Sequence, residues 1–539
     1  MHNSIPSSRR RFLQASAATV AGVALPNWTL AKSAPAIVTS DAERPQALQG
    51  LQFGDPSNGS VIVWSRSDRP ARMLVEWSYD EQFNDAYRLI GPYALDTTDF
   101  TARQDLSGLE RGSDVFVRVS FESLNNDRAL SEPVTGRIVV PPYRSFDRDD
   151  APDDRRRDIR FQWGGDTAGQ GWGINPYWGG MKIYEAMRQR SPLFFIHSGD
   201  NIYADGPIVA EVKLPDGQIW KNVVTEDKAK PAETLAEFRG NYKYNLTDKN
   251  VLAFNAEVPI FAQWDDHEVT NNWWPGEPLT RAEHARKKYV ESNALVLAAR
   301  AGRAFHEYMP LRFTQAEAGR VYRKISYGPL LDVFMLDMRS YRGPNGEGLE
   351  ETYGPAAYFL GPTQVAWLKR ELLNSQATWK VIAADMPIGL IIGRNRKWGI
   401  DAIAQGDGPP RGRELEIADI LSFIKHAPVR NTVWLTAERH YTAAHYYDPN
   451  KAVFQDFEPV WEFVSGPIHA RSSPQGKLDN TFGPQVIYVK APSTNQPPSA
   501  GFQFFGHVAI DGATHVMTVT LKDRDDRALW STTLEPKLG

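Results

Sequence analysis

From about Ala47 to Pro141 hydrophobic and polar positions alternate with a period near two. "GSVIVWSRSD", "RMLVEWSYD" and "SDVFVRVSFES" are β-branched and aromatic runs separated by Gly, Asp, Asn and Pro. That pattern predicts short, half-buried antiparallel strands, and their spacing suits a β-sandwich of about a hundred residues. We place it at residues 45–142. "VVPPYRSFDRDDAPDDRRRD" then reads as a linker, Pro-rich and afterwards dense in charge, with its centre at residues 143–157.

From Asp158 to the end, residues 158–539, the pattern changes. Short, nearly continuous apolar runs alternate with longer segments of helical period. "NPYWGGMKIYEAMRQR", "RAEHARKKYVESNALVLAARAGRAFHEYM" and "TQVAWLKRELLNSQ" predict helices. Short buried strands between helices predict an α/β (α+β) domain with a substantial sheet. The final "HVMTVTLKDRDDRALWSTTLEP" predicts a β-hairpin.

The apolar runs end alike. "IRFQWGGD" stops at Asp166, "LFFIHSGD" at Asp200, "PIFAQWDDHE" at Asp265 to Glu268, "DVFMLD" at Asp337, "KVIAAD" at Asp385 and "NTVWLTAERH" at Glu438 and His440. A single acid after a strand is ordinarily a turn former or a helix N-cap. Six such runs place acids and imidazoles together at the carboxyl ends of strands, where layered α/β proteins bind ligands. Clustered carboxylates repel unless a cation offsets them. A metal centre is the economical reading.

Composition narrows the metal. The chain has no cysteine, which excludes thiolate zinc sites, iron–sulfur clusters and thiol nucleophiles. Asp, His and Asn donors suit hard or borderline cations such as Fe, Mn, Zn, Mg or Ca. "GDNIY" adds Tyr203, whose phenolate would favour ferric iron. Two metals bridged by one carboxylate are a recurrent device for phosphoester hydrolysis. The formal net charge of -4 gives no argument for a nucleic-acid partner. At the N-terminus, "SSRRRFLQASAATVAGVALP" joins Arg9, Arg10 and Arg11 to an apolar run too short to span a bilayer. Residues 1–36 fit a twin-arginine signal peptide, which directs export in folded form to the periplasm or the outside.

The ordered set "GGD", "HSGDNIY", "WDDHEVTNNW", "LDMRSYR" and "ERH" resembles the alkaline phosphatase D (PhoD-like) family of calcineurin-like metallophosphoesterases. "LQFGDPSNGSVIVWSRSD" is similar to the start of that family's N-terminal domain. The resemblance implies a fibronectin/Ig-like β-sandwich followed by a metallophosphoesterase two-sheet αββα sandwich. It implies a metal-dependent phosphomonoesterase or phosphodiesterase that attacks phosphorus with a metal-bound hydroxide. The implied metals are Fe3+ and Ca2+, with Mn2+ or Zn2+ as substitutes. The implied partners are small phosphate esters, phosphodiesters or phospholipids and the twin-arginine export machinery, and the chain is expected to be a monomer.

The resemblance also implies roles. Asp166 is a carboxylate of the first metal, Asp200 the bridging carboxylate and Tyr203 the iron-binding phenolate. Asp265, Asp266 and Asn271 serve the second metal, and Glu438 and His440 close the centre. His267 either lies at the metals or acts as the general acid. Asp266 and His267 belong to the catalytic set, with Arg339 or Arg342 neutralising the substrate phosphate. Asn272 contacts the phosphate, and Trp273 walls the pocket. Three features depart from the family pattern. "FQWGGD" has Gly165 about where an iron-binding Cys is frequent. "ERH" replaces the closing "GDxH". No covering helix follows at the C-terminus. Two rival readings remain: a metal-independent carboxylate hydrolase such as a glycosidase, and a non-catalytic envelope protein that binds a polyanion through a degenerate phosphoesterase domain.

Overall fold

The structure is a computed structural model that describes residues 41–142, 158–392 and 401–538. The expected signal peptide at 1–36 and linker at 143–157 lie outside the described residues. Among the described residues no helix is long and apolar enough to cross a membrane.

Two sheets face each other. One has nine strands, in the spatial order Ala528–Leu534, Met517–Asp523, Phe504–Ile510, Ile159–Gly164, Phe194–Ser198, Ile260–Gln263, Leu51–Ser57, Ser60–Arg66 and Thr101–Ser107. The other has seven: Arg323–Tyr327, Leu331–Met335, Trp379–Ala383, Thr432–Thr436, Val460–Val464, Thr442–Tyr447 and Pro484–Lys490. Ile159–Gly164, Phe194–Ser198 and Ile260–Gln263 run parallel in the first sheet. Leu331–Met335, Trp379–Ala383, Thr432–Thr436 and Val460–Val464 run parallel in the second.

These parallel strands are buried on both faces, so they read as continuous apolar runs. Their inner faces form a common core, with Phe161, Phe194 and Phe261 opposite Val333, Val381 and Leu435. Phe194 stacks between Phe161 at 4.7 Å and Phe261 at 4.3 Å. Its removal to Ala would cost about 3–5 kcal/mol. Helices cover both outer faces. Leu235–Asn245, Lys249–Asn255 and Ala294–Tyr308 pack their apolar stripes against the nine-stranded sheet. Gly361–Leu373 and Glu414–His426 do so against the seven-stranded sheet. The result is the expected αββα sandwich.

One expected helix is two. Residues 281–309 form Ala282–Lys287 and Ala294–Tyr308. The break falls at Lys288, which is left-handed at φ 57°, and Asn293 caps the second helix through Leu295 N. The segment 175–190 likewise yields only a short 3-10 turn and the helix Lys182–Arg188, because Gly179 and Gly180 both take positive φ.

The N-terminal strands form the expected β-sandwich. Tyr87–Ala94, Ala71–Ser78, Asp114–Ser123 and Val134–Val139 make one sheet. It packs on the sheet of Leu51–Ser57, Ser60–Arg66 and Thr101–Ser107 around Phe53, Val63, Val75, Val117 and Phe121. Asp114–Ser123 alternates strictly between buried and half-buried positions. The sandwich is continuous with the larger sheet, because Leu51–Ser57 pairs in parallel with Ile260–Gln263 through Gly54 and Ile260. A Cβ at Gly54 would lie 2.1 Å from the Pro310 carbonyl oxygen, so only glycine permits this approach.

Candidate metal centre

The carboxyl ends of the parallel strands meet between the two sheets. Trp163 Nε1 donates to Thr436 O at 3.2 Å and Gln263 Nε2 to Leu336 O at 3.2 Å. Asp166, Asp200, Glu438 and His440 each follow a strand by a few residues, and each is left-handed, at φ 70°, 50°, 55° and 52°. Such conformations cost of order 1–3 kcal/mol each for residues with a Cβ and persist only where surrounding contacts enforce them. They turn these side chains from the sheet edge into one space.

Two triads result. Asp166, Asp200 and His440 bring one ligand atom each within 4.8 Å of one another, and so do Asp200, Asp266 and His267. Asp200 is common to both. His440 Nε2 lies 3.1 Å from Asp166 Oδ1 and 3.1 Å from the Tyr203 hydroxyl. Its Nδ1 bonds the Arg471 carbonyl oxygen. A carbonyl only accepts, so Nδ1 carries the proton and Nε2 presents its lone pair to the triad. His267 is held in the same way. Its Nδ1 lies 2.7 Å from Asp205 Oδ1, leaving Nε2 3.9 Å from Asp266 Oδ1. Asp205 also accepts from Asn271 N at 2.8 Å and from Lys287 Nζ. Glu268 joins the two turns by accepting from Asn201 N at 2.6 Å, Asn201 Nδ2 at 2.8 Å and Asp265 N at 2.9 Å.

The electrostatics point to cations. Burial, then the Asp266, Asp265, Glu268 and Asp166 carboxylates, raise the Asp200 carboxyl well above its usual range. Burial and the Asp200 and Asp166 charges do the same to the Tyr203 phenol. Burial pulls His267 down, but Asp205 and Asp266 outweigh it and hold the imidazole at about 9. Asp166 Oδ2 is buried without a hydrogen-bond partner. Bound cations would remove the mutual repulsion, complete that oxygen and invert these shifts. The oxygen and nitrogen donors present fit such ions.

A model of the PhoD-like phosphatase family matches residues 161–521, and one of the PhoD-like phosphatase N-terminal domain matches residues 31–142. The chain belongs to the PhoD-like phosphatase family. It is 28% identical over 464 residues to alkaline phosphatase D of Bacillus subtilis (strain 168), covering 80% of this chain and 71% of that protein. A solved structure of PhoD matches with a TM-score of 0.66 at 21% identity, over 92% of this chain and 94% of that one. Purple acid phosphatase PPD1 from yellow lupin seeds matches with a TM-score of 0.58 at 12% identity, over 92% and 74%. These two structures speak to the fold alone.

Within this PhoD-like phosphatase several residues stand elsewhere than the sequence suggested. Asp265 joins neither triad; its Oδ1 accepts from Arg339 Nε at 2.6 Å and its Oδ2 is buried without a hydrogen-bond partner. Arg339 is fully buried, and its Nη1 and Nη2 donate to the two carboxylate oxygens of Asp401. Arg342 Nη2 donates to the Asp401 carbonyl oxygen at 2.6 Å and to Asn345 Oδ1 at 3.1 Å, while its Nε and Nη1 are buried without a hydrogen-bond partner. The Asn271 amide points to Glu283 Oε2 at 3.3 Å. Trp273 is a core residue, 1% exposed and edge-on to Trp264. Glu438 is in neither triad. Burial and the Asp265, Asp266 and Asp166 charges hold its carboxyl well above the usual range, although Arg439 pulls the other way. Asn272 does flank the second triad, donating its N–H to Asp266 Oδ2 at 2.6 Å. At Gly165, about where the resemblance implied a Cys, a Cβ would lie 3.0 Å from Gly199 O and 3.1 Å from Ala437 Cβ. That space does not admit a thiol without movement. Sequence reasoning missed Asp205 and Asp401. Asp205 lies five residues past Asp200 in "GDNIYAD", but only its partner across the fold marks it.

Proposed function

We propose that this phosphoric ester hydrolase works through a two-cation centre in which Asp200 is the shared carboxylate. The observation that carries the reading is the presence of Asp200 in both triads. Asp166, Asp200, His440 and the Tyr203 phenol would hold one cation; Asp200, Asp266 and His267 would hold the other. Fe3+ and Ca2+ suit this oxygen-rich donor set, and Mn2+ or Zn2+ are compatible. When bound, such a pair polarises the phosphoryl oxygens and makes a water nucleophilic near neutral pH for in-line attack on phosphorus.

The chain's own residues supply orientation. Arg471 and Asp205 fix the tautomers of His440 and His267, so both rings offer Nε2 to the centre. We assign His267 to a cation rather than to the leaving group, because Nε2 faces Asp266. Asn272 is half-buried beside Asp266, a position from which its amide would donate to a phosphoryl oxygen. Mono- and diesters of phosphate are the proposed substrates, with phospholipids among the diesters; the name of the B. subtilis relative supports an ester class. "SRRRFLQ" supports export in folded form to the periplasm or beyond.

The test is metal analysis of the untreated protein beside hydrolysis of p-nitrophenyl and bis(p-nitrophenyl) phosphate, with and without chelator. Bound metal with chelator-sensitive turnover is expected, and the ratio of the two rates assigns the ester class. Turnover that survives complete removal of metal would overturn the two-cation reading.

A further inference from the structure

We propose that Arg339 is a positioning residue that locks the metal-bearing turn 265–268 to the segment 401–413, and not a ligand of the substrate phosphate. The inference rests on the two-cation reading above.

Every side-chain nitrogen of Arg339 faces a carboxylate. Nε donates to Asp265 Oδ1 at 2.6 Å, Nη1 to Asp401 Oδ1 at 2.9 Å and Nη2 to Asp401 Oδ2 at 3.2 Å. Nη2 also lies 4.0 Å from Asp266 Oδ2, and Nε 3.8 Å from Asp385 Oδ2. The side chain is 0% exposed. A buried guanidinium is tolerated only when paired and hydrogen-bonded throughout, and the bidentate fork to Asp401 also fixes its direction. Its backbone is pinned as well. Arg339 N donates to Asp337 Oδ1 at 3.0 Å, and the same oxygen accepts from Trp264 Nε1 at 3.1 Å, the residue before Asp265.

Asp401 reaches the same turn by a second route. Its carbonyl oxygen accepts from Arg342 Nη2 at 2.6 Å and from Arg413 Nη1 at 2.7 Å. Arg342 Nη2 donates to Asn345 Oδ1 at 3.1 Å, Asn345 Nδ2 to Asn272 O at 2.7 Å, and Asn272 N to Asp266 Oδ2 at 2.6 Å. Two chains of bonds therefore leave Asp401 and end on adjacent residues, Asp265 and Asp266. One of these belongs to the second triad. Arg339 is the internal cation that lets Asp265, Asp385 and Asp401 stand close together, and its fork to Asp401 with its Nε bond to Asp265 ties that segment to the turn that carries Asp266. Lys carries the charge but not the fork.

The test uses the full chain with Arg339→Lys, Asp401→Asn and the double variant. Three quantities are read: Mn2+ affinity of chelator-stripped protein by calorimetry, inhibition by inorganic phosphate at saturating Mn2+, and Tm. Each single substitution is expected to weaken Mn2+ binding by about 10–100-fold, the usual effect of losing a residue that orients a ligand. The double variant is expected to be no weaker than the poorer single one, because both break one network. The phosphate inhibition constant is expected to stay within about twofold. A phosphate constant raised about tenfold or more, with Mn2+ affinity intact, would make Arg339 a phosphate ligand and overturn the proposal. A lower Tm with both affinities unchanged would overturn it too, leaving only a structural role. Should the Lys variant not fold, the near-isosteric Asp401→Asn carries the test alone. Wild-type protein that binds no Mn2+ or other metal would sink the two-cation reading instead.

Discussion

Asp200 follows the strand Phe194–Ser198 of the nine-stranded sheet, and Asp337 follows Leu331–Met335 of the seven-stranded sheet. Both are buried carboxylates two residues beyond a parallel strand. Asp337 is saturated by donors: Oδ1 accepts from Arg339 N, Ser340 N and Trp264 Nε1, and Oδ2 from Ser340 Oγ at 2.6 Å. Asp200 accepts from His267 N at 3.1 Å and otherwise faces other acids, two histidines and the Tyr203 phenol. The two acids look alike in sequence and differ in what surrounds them. A carboxylate filled by N–H and O–H donors needs nothing more. One that faces further carboxylates in a buried space requires a proton or a cation.

The strongest way to break this contrast is Asp200→Asn. It should lower kcat on the order of 10³-fold, about 4 kcal/mol of transition-state stabilisation, with loss of bound metal in elemental analysis. Unchanged turnover would mean that Asp200 is no more than another Asp337. Asp205→Asn should act through His267 and weaken metal binding by about 10–100-fold; an unaltered calorimetric titration would remove Asp205 from the centre. Asp337→Asn should cost about 1 kcal/mol in denaturant unfolding, the scale of a net hydrogen bond, while leaving metal content as in the wild type. Metal loss in that variant would erase the distinction between the two acids.

A pair of acids without a histidine gives a further contrast with Asp200. Glu414 accepts from Gln405 N and Arg411 N at 3.1 Å each and faces Asp479. Burial, then the Asp479 carboxyl, raise Glu414 to about 9. There a proton takes the place that cations would take beside Asp200. The folded chain binds that proton more tightly than the unfolded one, whose reference value is 4.5. The stability linked to it is therefore full below that value and is lost progressively as pH rises through about 9. Unfolding curves of Glu414→Gln from acid to mildly alkaline pH should show a shallower decline than the wild type. Parallel declines would show that the pair does not hold a proton.

Much of the architecture was legible because the parallel strands are buried on both faces and so form unbroken apolar runs. The alternation in Asp114–Ser123 was legible because that strand has one wet face. Asp166, Asp200, Asp266 and His440 were legible as strand-end chemistry. The helix break at Lys288 was not, because 281–309 keeps a helical pattern and only capping and the αL residue divide it. The partners of Arg339 were not legible, because Asp265 and Asp401 lie 74 and 62 positions away in sequence and only the fold brings them to its guanidinium.

The sequence by itself determined which strands end in acids, that no thiol is available, and that a β-sandwich precedes an α/β core. Those properties are local: they follow from hydrophobic period, turn chemistry and residue type. Only the tertiary structure decided which acids converge on Asp200, which saturate a turn, and that Leu51–Ser57 extends the larger sheet. Convergence depends on residues up to 274 positions apart, such as Asp166 and His440. Their approach is set by the facing of two sheets and four left-handed residues at their edges, and no local pattern records that geometry.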